Sequence, residues 1–343
     1  MAYISFQPND HFNTLLYTGN NSTTAKTGVG FQPDMVWFKS RNGTTDHAIF
    51  DAVRGVTKEI RPNKTDYEDT ASNGLTAFGT DGFTIGDWSV INANSTTYAS
   101  WNWKANVQGS SNTDGSINTT YTSANTTAGF SICKWTGSGG NATIGHGLGA
   151  VPKMIIVKSL ANSTSWMVYH SGIGNNSEIY LNGNNAAAGS STAWQDTDPT
   201  SSVFYVAGSA GDGVNASGNY VAYCFAEKTG FSKVGSYKGN GSDNGTFVYT
   251  GFKPAFILVK NAAITDNWSI FDSKRLGYNA YNYVLYSDIT NVGSNGLPMD
   301  ILSNGFKWRT SAAMVNGSGN NCIYMAFAEE PLVASNGTPA TAR

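Results

Sequence analysis

The chain has 343 residues and a formal net charge of −2; 40% of its residues are apolar, 13% aromatic and only 13% charged, against about a quarter charged in ordinary domains. So weak a charge offers no field to steer nucleic acid or an anionic membrane, which argues against a phosphate-backbone binder. No run of about 18 apolar residues occurs, and "MAYISFQPNDHF" has neither part of an export signal, so no membrane insertion and synthesis in a cytoplasm without Sec export are the expectations.

In chain order, the first element is "FNTLLYTGN" from Phe12, a strand and turn. "GFQPDMVWFK" (Gly30 to Lys39) follows, then "HAIFD" with His47 and Phe50, then "NGLTAFGTDGFTIGDW" as two strands about a glycine-containing hairpin, and the closing run "TYASWNWKA". Residues 107–129 are rich in Ser, Thr, Asn and Gly and read as a solvated linker or long surface loop. The series then restarts: "FSICKWTGSG" from Phe130, "GAVPKMIIVK" (Gly149 to Lys158), "WMVYH" with Trp166 and Tyr169, and "NYVAYCFAE". After the short join "AEKTG" come "FSKVGSYKGNG" from Phe231, "GFKPAFILVK" (Gly251 to Lys260), "WSIFD" with Trp268 and Phe271, the hairpin "NGLPMDILSNGFKWRT", and "CIYMAFAEE".

One spacing therefore recurs in Gly30, Pro33, Lys39, in Gly149, Pro152, Lys158, and in Gly251, Pro254, Lys260. Self-similarity of this kind marks a repeat architecture. It divides the chain into units at 1–106, 130–228 and 229–331, with an exposed or disordered tail at 332–343. The apolar runs "MVWF", "MIIV" and "FILV" suit strands covered on both faces, entered through a proline that loses no ladder hydrogen bond. Short strands with a turn about every ten residues signal sandwiches or barrels. The expected fold is all-β: three tandem homologous β-sandwich units of jelly-roll or concanavalin-like type, units two and three packed tightly and unit one on a longer tether. The rival arrangement is a pseudo-threefold assembly that shares strands between units.

Chemistry-bearing motifs are sparse. His47 and His170 have Trp or Asp in the matching slots of the other units, which favours packing over catalysis, while His11 and His146 stand outside any motif. No zinc, serine-nucleophile or phosphate-loop pattern occurs, and neither a cofactor nor a metal site is expected. Cys133, Cys224 and Cys322 are too few and too scattered for a disulfide framework, and Cys224 reads as a small buried hydrophobe. Asp66, Glu68, Asp69 and Asp196, Asp198 are acidic loops; calcium there or near Asp212, or a glycosidase pair at Asp196 and Asp198, are the weaker alternatives. "SDNGTF" (Ser242 to Phe247) fits a sialidase-type Asp box poorly. Lys39 with Asp51, and Lys260 with Asp272, suggest cross-strand ion pairs, with His170 replacing the acid in unit two. Trp37, Trp101, Trp103, Trp166 and Trp268 lie on repeated strands and read as core. Trp88, Trp135, Trp194 and Trp308 are flanked by turn residues and are the candidates for exposed glycan or partner contact.

"TGVGFQPDMVWFK", "YASWNWKAN", "GHGLGAVPKMIIVK", "YVAYCFAEKTGFSKVGSYKGNG" and "YMAFAEEPLVASNGTPATAR" together resemble a widespread group of virion structural proteins of marine tailed bacteriophages. The resemblance spans essentially the whole chain. It implies concanavalin-like or SPRY-like sandwiches, a tail-fibre or head-decoration role on the virion surface, contact with other capsid or tail proteins and with host glycans, and homo-oligomers such as trimers. It carries no catalytic residues. No collagen-like or coiled-coil shaft precedes unit one, so a compact decoration, spike or tail-tip protein is expected over a full fibre; a carbohydrate-binding adhesin or glycan depolymerase is the alternative.

Overall fold

The computed structural model describes residues 6–189, 192–208, 213–275, 279 and 283–330. Among them helix is confined to two four-residue segments, Ser89–Asn92 and Ala313–Asn316, and one 3-10 turn, Pro8–Asp10. The fold is all-β and antiparallel.

Most strands belong to three large sheets. The first has the order Phe12–Thr18, Thr97–Trp103, Met35–Ser40, Ala48–Asp51. The second places Phe130–Gly137, Gly218–Phe225, Met154–Ser159 and Met167–His170 side by side. The third runs Ser232–Lys238, Asn321–Ala328, Pro254–Asn261, Ser269–Asp272. In each, a late strand is inserted between an early one and the strand carrying the repeated lysine. The register matches as well: Met35, Met154 and Phe256 stand opposite Trp103, Phe225 and Phe327 on one side, and opposite Asp51, His170 and Asp272 on the other.

Met35–Ser40, Met154–Ser159 and Pro254–Asn261 are buried at every position. Successive side chains point to opposite faces of a strand, so such a run needs cover on both. Val36 and Phe38 pack outward against Phe83 and Ile85 of a small sheet, Thr24–Thr27, Gly82–Ile85 and Leu75–Gly79. Ile155 and Val157 pack against Ile144, Phe204 and Val206 of a two-stranded one. Ile257 and Val259 pack against Val248, Met299 and Phe306 of a third.

The alternate residues, Met35 and Trp37, Met154 and Ile156, Phe256 and Leu258, all enter one further core common to the three sheets. At its centre the register-equivalent rings Trp103, Phe225 and Phe327 meet pairwise, with centroids 6.5, 5.8 and 5.9 Å apart. Each large sheet is thus the middle layer between a private outer core and a shared inner one. Detaching the first sheet would strip Met35, Trp37, Ile49, Trp101 and Trp103 of cover, at about 2 kcal/mol per side chain. The first unit, expected on a longer tether, is instead packed into the same core as the other two. The sheets share a core while each keeps its own strands.

Within the segment 107–129, residues 107–120 carry no named strand and are mostly exposed, whereas the second half is no solvated linker. The segment lies against the second sheet, where Tyr121–Asn125 pairs with Phe130–Gly137, and Ile117 bridges to Ile144. Its hydroxyls do work that apolar contacts do elsewhere. Ser123 Oγ accepts the Asn106 amide at 2.8 Å and Thr119 Oγ1 accepts that of Asn112 at 2.8 Å. Backbone satisfied by Ser and Thr side chains orders a stretch whose composition reads as a linker.

Candidate functional site

One set of buried polar groups lies where one sheet meets the next. Lys39 Nζ donates to the carbonyls of Ser40 and Gly43, and to Thr290 O from the third sheet's side at 3.1 Å. Lys158 donates to Thr164 O and to Thr65 O of the first at 3.0 Å. Lys260 donates to Asn261 O, Ile264 O and Asn184 O of the second. Burial lowers each ammonium to about 8. The sites are closed by carbonyls, which stabilise a buried cation through charge-assisted hydrogen bonds.

A second ring of contacts runs in the same cyclic sense. Trp166 Nε1 donates to Arg61 O and Lys64 O, Trp268 Nε1 to Tyr180 O, and His47 Nε2 to Tyr286 O at 2.8 Å. The backbone amides of the same three residues bond to Asn63, Asn182 and Asp288. His47 Nδ1 accepts from Trp37 Nε1 at 2.9 Å, which leaves Nε2 to carry the proton.

The expected lysine–aspartate pairs do not form; the acids serve a different partner. Asp51 takes the Arg54 guanidinium at 2.5 Å and the Tyr223 hydroxyl, from the second sheet, at 2.7 Å. Asp272 takes Arg275 at 2.6 Å and Trp101 Nε1, from the first, at 3.0 Å. Lys39 and Lys260 share an inward direction with Met35 and Phe256 along their strands, but lie four residues further on and reach loops instead of the acids.

Three of the four candidate contact tryptophans are buried: Trp135, Trp194 and Trp308. Turn residues flank them because they roof the outer cores. Trp194 and Trp308 lie edge-on to Tyr169 and Phe271, and Trp135 stacks on Tyr220 and donates to Asn215. Trp88 meets Phe50 likewise but is only half-buried, with the Arg61 guanidinium 5.9 Å above its ring. Arg61 opens onto a polar hollow of about 230 Å³ lined also by Glu59, Asp66, Tyr67 and Asp69. Tyr67 is 56% exposed there. Asp66 and Asp69 of the acidic loop line this hollow with Arg61, and Trp88 is linked to it only through Arg61. Asp198 instead holds the Tyr169 hydroxyl and Asn175, and Asp243 of the "SDNGTF" turn caps the Ser311 amide. Asp212 and residues 332–343 lie outside the described residues.

Sequence reasoning missed three buried asparagines that clamp the outer turns. Asn92 holds Asn20, Ser22 and Gly86; Asn316 holds Asn240, Ser242 and Thr310; Asn215 holds Trp135, Ser138 and Gly140. The signal was the recurrence of "TGNNS", "TGSGG" and "KGNGS" after the opening strands, each a turn whose backbone needs an internal partner. All three cysteines are free and buried. No helix among the described residues is long and apolar enough to cross a membrane.

Fold and junctions together define an all-β protein in which three double-layered sheets are sewn to one another by buried donors and carbonyls. The chain belongs to the DUF7483 family, a domain of unknown function, whose model matches residues 7–331 and so takes in all three sheets. No curated protein and no solved structure matches it.

Proposed function

We propose that this chain is a non-enzymatic structural protein of a bacteriophage particle. In this reading it is a decoration, spike, tail-tip or fibre component, made in the host cytoplasm, that docks on the head or tail and contacts host surface glycans. Its three sheets descend from one triplicated unit. The observation that supports a particle role best is the cyclic lock between sheets, where Lys39, Lys158 and Lys260 each reach a carbonyl of another sheet. A body closed in this way holds its shape without a ligand, as a part exposed outside the cell must. The polar hollow at Tyr67 and Arg61 supplies an aromatic face beside carboxylate and guanidinium groups, the chemistry that orients sugar hydroxyls.

Mass-spectrometric inventory of purified virions tests the particle role: the polypeptide is expected at stoichiometric level, and its absence overturns the reading. A glycan array tests the contact surface, with Tyr67→Ala expected to weaken binding at least tenfold. Glycan binding by the free chain, combined with absence from particles, would mark an adhesin instead.

A further inference from the structure

Where the third sheet meets the first, a hollow of about 200 Å³ is lined by Arg41, Asn42, Thr97, Arg275, Tyr283 and Gly293. Arg275 is 2% exposed; its Nε bonds Asp272 and its Nη2 bonds Ile270 O, but its buried Nη1 has no hydrogen-bond partner among the described residues. Leaving a buried charged donor unmade is costly, so the bare nitrogen marks a place where an acceptor belongs.

The first sheet shows which acceptor. Arg54 sits three residues after Asp51 as Arg275 does after Asp272, and its Nη1 bonds Lys58 O at 3.0 Å and the Glu68 carboxylate at 3.3 Å. Glu68 is placed by its amide bonding Leu160 O across the junction; at the equivalent junctions Gly293 N bonds Arg41 O and Ala187 N bonds Ala262 O. Position for position, Glu68 corresponds to Gly293 and Ala187. Where Arg54 stands, the third sheet has Arg275 and the second has Ile173. Two of the three pairs are self-consistent, arginine with glutamate and isoleucine with alanine. The third keeps the arginine and has lost the carboxylate. At the position of Leu160 the same junction adds a second guanidinium, Arg41, which is half-buried and whose charge is disfavoured by burial and by Arg275.

We propose that this hollow binds the carboxylate of an acidic sugar, of the uronate kind, which takes the place that Glu68 occupies in the first sheet. The carboxylate bonds Arg275 Nη1 and Arg41, a charge-assisted arrangement, and the ring of Tyr283, 43% exposed at the rim, offers its face to the sugar. The sugar part rests on the glycan-contact reading above; the carboxylate slot rests on the comparison between sheets alone.

The molecule allows a direct test. A Cβ on Gly293 would meet its nearest neighbours, Tyr283, Arg41 O and Leu285, at 3.5 to 3.8 Å, and Gly293 is not among the glycines with positive φ, so Gly293→Glu supplies the missing carboxylate internally. Calorimetric titration of the full chain with glucuronate, glucose and acetate is expected to show glucuronate at least tenfold tighter than either other probe. Gly293→Glu and Arg41→Leu should each weaken glucuronate at least tenfold, whereas Gly293→Ala retains it, and thermal unfolding checks that every variant is folded. Glucuronate no tighter than glucose, or undiminished in folded Gly293→Glu, overturns the slot. Acetate as tight as glucuronate overturns the sugar. None of these outcomes bears on the Tyr67 hollow or on the virion inventory, so the two readings fail separately.

Discussion

At the junction of the first and second sheets Tyr223 donates to Asp51, and at that of the third and first Trp101 donates to Asp272. At the remaining junction the register position of Tyr223 and Trp101 is held by Met325, and that of the two acids by His170. Methionine has no proton to give. With no donor opposite and Ile173 where the arginines stand, a carboxylate at position 170 would be buried without compensation. His170 remains neutral there, accepting the Gly172 amide at Nδ1 and donating to Tyr324 O. The three residues change together because a buried acid is tolerated only with its whole set of partners.

The comparison makes its largest demand on Asp51. Asp51→Ala leaves the Arg54 guanidinium buried with only Glu68 as counter-charge and strips Tyr223 of its acceptor, so a loss of about 3–5 kcal/mol is expected. His170→Ala removes a neutral ring and two ordinary hydrogen bonds, and should cost about 2 kcal/mol. Denaturant unfolding of both variants decides it. Equal losses would mean that the acid junctions carry no special burden.

A second contrast lies in the ring of donors. His47 replaces the tryptophans of the other sheets, and Trp37 stands where they have Ile156 and Leu258. Volume has moved from one residue of the pair to the other. Trp37→Leu alone should cost about 3 kcal/mol through a cavity and an unpaired His47 Nδ1, and His47→Trp alone about 1–3 kcal/mol by overpacking. Combined, they rebuild the arrangement of the sister sheets, so a double-mutant cycle should return about 2 kcal/mol of favourable coupling. Additive losses would show that the two slots are unrelated.

How much of this the chain revealed depended on whether a signal was local. The strand runs, the buried Trp37, Trp101, Trp103, Trp166 and Trp268, and the recurrence of Gly, Pro and Lys could all be read in sequence, since each is fixed by alternation along one strand. The role of the lysines could not be, because Thr290, Thr65 and Asn184 accept through backbone carbonyls, which every residue type possesses. Trp135, Trp194 and Trp308 misled for a related reason: a turn beside an aromatic is the same text whether the ring faces water or roofs a core. The interlocked centre was half-legible. Four consecutive apolar residues demanded cover on both faces, but which other sheet supplied the inner cover is a long-range fact.

The two histidines extend the contrast to pH. Burial lowers His47 to about 3, with Lys39 adding to the effect, and lowers His170 to about 4. In the unfolded chain both titrate near the ordinary value of about 6.5. Between these limits the unfolded state binds more protons, so stability is fully present above about pH 6.5 and falls as the pH drops towards 4 for His170 and towards 3 for His47. From pH 7 to pH 5 each histidine should remove about 2 kcal/mol, whatever the depth of its folded-state shift, because at pH 5 only the unfolded ring has gained its proton. The variant with Trp37→Leu and His47→Trp lacks one of the two and should therefore lose about 2 kcal/mol less than the parent chain over that range, as followed by urea unfolding at each pH. An unchanged slope would mean that folded His47 takes up a second proton, on Nδ1, over the same pH range as the unfolded chain. In that case Nδ1 could not accept from Trp37, and the hydrogen bond that fixes the first sheet's version of the ring would have to be redrawn.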